Sequence, residues 1–100
     1  MTEYYSVYVN RDGESVYTFE PTAKPCTLKA YPDLKMFLVG NPGSYTVHDW
    51  DTGMNLGMPR KTQREALEVT TNRVRDNGME RFNQLKRDFI AKHGRAPHCD

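Results

Sequence analysis

The sequence predicts an α+β domain: an antiparallel sheet of about four to five strands followed by two C-terminal helices packed on one face. Three observations carry that expectation. Short stretches of β-branched and aromatic residues, separated by Gly- and Pro-bearing turns, fill residues 1–59. Helix punctuation then takes over: Thr62-Gln63-Arg64-Glu65 at one end, Gly78 in the middle and Gly94 at the other. The charge balance changes at the same place, near Arg60. Residues 1–59 hold four Lys/Arg against seven Asp/Glu, and residues 60–100 hold ten against six. The formal net charge of +1 therefore hides an acidic half of −3 and a basic half of +4.

Residues 4–9, Tyr-Tyr-Ser-Val-Tyr-Val, are strand formers throughout. Asn10-Arg11-Asp12-Gly13 is turn chemistry, and residues 14–19 return as a second strand, making a β-hairpin. Residues 20–33 carry Pro21, Pro25 and Pro32 and read as an irregular connection, with room for a short extended piece at 26–30. Residues 34–39 form an apolar third strand. Gly40-Asn41-Pro42-Gly43 turns the chain into a fourth strand at 45–50, and Asp51-Thr52-Gly53 turns it again into a short edge strand at 54–57.

The first helix starts at the capping box Thr62-x-x-Glu65 and runs to about residue 77, with Gly78 placed to end it. Its apolar arc is Ala66, Leu67, Thr70 and Val74. The second helix covers roughly residues 79–93, and at about 100° per residue Phe82, Leu85 and Phe89 fall on one side. Lys86 falls inside that arc, where its stem would lie along apolar surface. Residues 1–94 thus form one domain and 95–100 a loose tail.

At 100 residues and 37% hydrophobic, the chain supports one thin core in which aromatic residues supply much of the buried area. No apolar run approaches the roughly 20 residues of a membrane span, and the first residues do not read as a secretory signal. Cys26 and Cys99 read as free thiols of a reducing cytoplasm. His93, His98 and Cys99 lack the companions of a zinc set, and neither a nucleophile elbow nor a phosphate-cradling loop is present. The expectation is a cytoplasmic, non-enzymatic protein without metal or cofactor.

Three surfaces are candidates for contact. Tyr4, Tyr8 and Tyr17 on the first hairpin offer large, amphipathic contact area at low entropy cost, or are simply strand formers at the core margin. Asp49, Trp50 and Asp51 form an acidic patch around a tryptophan, or else a core anchor between two solvated turn residues. Arg73, Arg75, Arg81 and Arg87 on the helices are the nucleic-acid alternative, although the basic residues scatter around the second helix rather than forming one stripe. Interleaved acids allow pairs such as Arg64–Glu68.

Residues 47–53, Val-His-Asp-Trp-Asp-Thr-Gly, followed by Thr62-Gln63-Arg64-Glu65-Ala66, resemble the layout of many small phage and mobile-element proteins, including inhibitors of the anti-CRISPR type. A weaker likeness is to antitoxin-type domains that pair a three-stranded sheet with a helix. The first resemblance implies an inhibitor or adaptor that occupies a surface of a host protein or ribonucleoprotein complex. The resemblance carries over no functional residue; the acidic, tyrosine-bearing half makes Tyr4, Tyr8, Tyr17, Asp49, Trp50 and Asp51 the expected contacts. The rivals are nucleic-acid binding through the arginines and a homodimer formed through an open sheet face.

Overall fold

The computed structural model describes residues 3–99 and contains five antiparallel strands in two sheets followed by two helices. Strands β1 (Tyr5–Val9) and β2 (Ser15–Phe19) form a two-stranded ribbon. Strands β3 (Lys24–Leu28), β4 (Tyr31–Asn41) and β5 (Ser44–Asp49) form a second sheet in the order β3-β4-β5. The single sheet expected from the sequence is thus divided. The connection at 20–33 contributes a strand because β3 is an edge, where Pro25 can pair with Phe37 without supplying an outward N–H. The edge strand expected at 54–57 is reduced to isolated bridges, Val7 to Met54 and His48 to Asn55.

Helix α1 (Gln63–Asn77) begins where the capping residues place it: Thr62 Oγ1 accepts the Glu65 N–H at 3.1 Å. Gly78, at φ 85°, ends α1 and starts α2 (Met79–His93), so one residue turns the chain between the helices. Ala66, Thr70 and Val74 of α1 are buried against the three-stranded sheet. Thr70 fits there because its hydroxyl donates back to the Ala66 carbonyl at 2.8 Å. Leu34, Met36, Leu38, Tyr45, Val47 and Phe82 complete this core.

The register of β4 and β5 explains why the opposite sheet face is not left open. Leu38 pairs with Val47 on the helix side, whereas Phe37 pairs with His48 on the far side. There the His48 ring stacks on Phe37 at 5.2 Å, Tyr4 stacks on Phe37 at 5.2 Å, and Trp50 meets Tyr4 edge-on at 5.0 Å. Phe37 is 0% exposed. The solvated or partner-reserved face expected from the sequence is covered at this point by an aromatic cluster.

The expected loose tail supplies part of that cover. Ala96 is buried and donates to the Asp51 carbonyl at 2.8 Å, Pro97–Cys99 form a short 3-10 turn, and the His98 ring packs on Tyr4, Phe37 and Trp50. Asp100 lies outside the described residues. No helix is long and apolar enough to cross a membrane among the described residues.

Candidate functional site

The turn at residues 49–53 holds three of the six contact residues expected from the sequence, of which the structure buries Asp49 and half-buries Trp50 and Asp51. Asp49 is 1% exposed. Its Oδ2 accepts from the Thr52 N–H at 3.1 Å and from the Thr52 hydroxyl at 2.8 Å, while its Oδ1 lies 3.2 Å from Lys86 Nζ. Asp51 pairs with Lys86 at 3.0 Å and with Arg95 at 2.7 Å. Burial pushes the Asp49 carboxyl above its usual range, an effect that Lys86 and Thr52 only partly offset. Burial also opposes the charges on Lys86 and Asp51, but Asp49 and Asp51 together raise the lysine, and Arg95 with Lys86 lowers Asp51. Lys86 therefore leaves the apolar arc by reaching inward to two carboxylates, its ammonium 5.7 Å from the Phe82 ring centre. The surface pair Arg64–Glu68 is absent: the ion pairs among the described residues gather at Asp49 and Asp51.

Backbone bonds from the same turn reach the rest of the molecule. The Trp50 carbonyl accepts from His98 Nε2 at 2.7 Å, and His98 Nδ1 accepts the Tyr5 N–H at 3.0 Å. A carbonyl can only accept and an amide N–H can only donate, so His98 is the neutral tautomer with its proton on Nε2. The Gly53 carbonyl accepts from the Val7 N–H at 3.1 Å and from His48 Nδ1 at 3.1 Å. The Gly53 carbonyl can only accept, so His48 carries a proton on Nδ1, and the Thr46 hydroxyl lies 2.9 Å from Nε2, where it can donate to that nitrogen. Burial lowers the His48 pKa, and the Gly53 bond offsets part of that. Asp49, Trp50 and Asp51 are thus a junction between sheet, ribbon, α2 and C-terminus. Of the expected acidic patch, Asp49 is withdrawn from the surface by burial, and both carboxylates are engaged in ion pairs with Lys86 and Arg95.

The tyrosines also separate. Tyr4 is buried in the aromatic cluster rather than displayed. Tyr17 does not share a side with Tyr8, because the five-residue loop gives the register Tyr8 to Val16 and Val7 to Tyr17. Asn10 sets that loop: its Oδ1 accepts the N–H groups of Asp12 and Glu14 at 3.0 and 2.9 Å. Tyr8 alone of the three is well exposed, at 58%.

No residue of β1 or β2 is buried, although these strands contain Tyr5, Val7, Tyr8, Val9, Val16, Tyr17 and Phe19. Val9 and Phe19 are 47% and 49% exposed. This ribbon is the candidate contact surface. Sequence reasoning found Tyr8 but singled out neither Val9 nor Phe19.

The four arginines of the nucleic-acid alternative are all exposed. Arg75 hydrogen-bonds to Asn72 and Arg87 donates to Gln84 at 2.9 Å, whereas Arg73 and Arg81 border a groove of about 540 Å³ between α1, α2 and residues 54–56. Both cysteines are free, and burial pushes the Cys26 thiol up to about 11, with Lys24 pulling slightly the other way. Among the described residues no group of three or more His, Cys, Asp or Glu side chains is placed to hold a metal ion. Comparisons with protein-family models, with curated proteins and with solved structures find no match.

Proposed function

We propose that the chain is a small, non-enzymatic partner-binding protein, an inhibitor or adaptor that occupies a surface of another protein through the β1–β2 ribbon. One observation carries the reading: ten strand residues, seven of them apolar or aromatic, of which none is buried. A two-stranded ribbon is marginal by itself in water, and this one is held by Tyr4, His98 and Gly53 while Tyr8, Val9 and Phe19 stay exposed. By the register Val9 and Phe19 lie on one face of the ribbon and Tyr8 on the other, and large exposed apolar side chains of this kind mark a contact surface. A host protein or ribonucleoprotein complex in the cytoplasm, of the kind blocked by anti-CRISPR inhibitors, is the partner class suggested by the phage-protein resemblance. Inhibition there is by occlusion, with no chemistry asked of the chain.

The test is affinity capture from a host lysate with the native chain and with a Tyr8→Ser/Val9→Ser/Phe19→Ser variant, read by mass spectrometry. Protein bands lost with the variant support the reading. Bands unchanged by it, or retention on heparin that falls steeply with salt, oppose it and favour nucleic-acid binding through the helices.

A further inference from the structure

A second surface lies away from the ribbon, in the groove between the second half of α1, one side of α2 and residues 54–56. Phe82, Leu85 and Phe89 line its bed at the i, i+3, i+7 spacing of one helix face, over about 10 Å at 1.5 Å per residue. Phe82 is buried beneath, but Leu85 remains 45% exposed, so the bed is apolar and open. Lys86 also borders it but is engaged by Asp49 and Asp51. The exposed cations at the rim are Arg81 and Lys92, about 16 Å apart along α2, and Arg73 across on α1. The single carboxylate among the lining residues, Asp88, already accepts from Gln84 at 2.7 Å.

We infer that this groove receives an acidic amphipathic helix of a protein partner. The apolar bed fixes one face of the occupant and the rim fixes the sign of its flanks. Its backbone conformation follows from the walls. Two walls are helices whose main-chain groups are bonded internally. The third spends its own on β5, with the Met54 carbonyl accepting from Asp49 and the Leu56 N–H donating to Val47. No wall offers a row of free N–H and C=O groups, so an extended strand would leave its own unsatisfied. A helix brings its backbone bonds with it and needs only side-chain contact. Three cations spread along the rim suit a row of carboxylates better than the single head group of a fatty acid.

The test uses the whole chain and a synthetic amphipathic peptide of about 15 residues, long enough for a helix in contact with a groove. It carries Leu and Phe on one face and Glu on both flanks. Binding is followed by fluorescence polarisation and by backbone amide shifts. The acidic peptide is expected to bind, to shift the Leu85 and Phe89 amides, and to lose at least about tenfold in affinity with Leu85→Ser. An Arg81→Glu/Lys92→Glu variant, changed only at exposed positions, is expected to weaken it comparably, and the ribbon triple variant is expected to leave it unchanged. The inference is overturned if a Lys-flanked version binds equally well, if neither groove variant matters, or if decanoate or single-stranded DNA binds there and the acidic peptide does not.

Discussion

Lys86 of α2 reaches Asp49 at the end of β5 with 3.2 Å between Nζ and Oδ1, across a carboxylate that is 1% exposed. This contact ties the second helix to the three-stranded sheet, and the same ammonium holds Asp51 at 3.0 Å. Removing one partner of a buried pair leaves an uncompensated charge, which costs about 3–5 kcal/mol. Lys86→Met should therefore lower stability by an amount at or near that range. Arg95→Ala, which removes a half-exposed partner of Asp51, should cost at most about 1 kcal/mol. Urea unfolding of the two variants checks the ordering.

His48 makes stability pH-dependent. Its folded-state pKa lies below the ordinary histidine value of about 6.5, so the unfolded chain binds the proton first as pH falls. Its contribution is complete above that value and is lost as pH drops through the folded pKa. Asp49 acts with the opposite sign, since its raised pKa favours the folded state in acid. A His48→Gln variant separates the two. Its unfolding free energy should lose the downward slope below about pH 6.5 that is expected of the native chain, and retention of that slope would assign it elsewhere.

Gly53 is required by space as well as by conformation. Its φ is 81°, and a Cβ there would lie 2.6 Å from the Tyr5 carbonyl oxygen. The strand β1 can approach the turn this closely only because nothing projects from it. Gly53→Ala should cost roughly 1–3 kcal/mol and push the ribbon away from the body. Hydrogen exchange at the Val7 amide, which donates to Gly53, should accelerate more than exchange at Val47 in the three-stranded sheet.

Phe37 carries the aromatic cluster. It contacts Tyr4, His48 and His98 and is 0% exposed, so Phe37→Ala should cost about 3–5 kcal/mol. Because Tyr4 and His98 rest on it, near-ultraviolet circular dichroism should weaken in the variant before the helical signal does.

What the sequence revealed and what it hid divide along the range of the interactions. The helix limits were legible because Thr62, Gly78 and Gly94 act on the backbone within a few residues. The ribbon was legible from Asn10 to Gly13 for the same reason, yet which tyrosine shared a face with which depended on the loop register. The role of Asp49 was hidden. Two aspartates beside a Thr-Gly pair read as solvated turn chemistry until Lys86, from a helix far along the chain, is seen beside them. Lys86 within an apolar arc was the available signal. His98 read as part of a tail because its two hydrogen-bond partners, Tyr5 and Trp50, are distant in sequence. The covered sheet face followed from that same long-range docking.

The division of labour between an interior turn and an exposed ribbon is tested most directly by thermal unfolding of two variants side by side, Asp49→Ala and Tyr8→Ser/Phe19→Ser. Asp49→Ala leaves the Thr52 donors without their acceptor and Lys86 with Asp51 alone, and its Tm should fall by more than about 10 °C at roughly 4–8 °C per kcal/mol. The ribbon variant changes two side chains that are about half exposed, and its Tm should stay within about 5 °C of the native chain. A stable Asp49→Ala protein together with an unfolded ribbon variant would contradict the assignment of the turn to the fold and of the ribbon to contact.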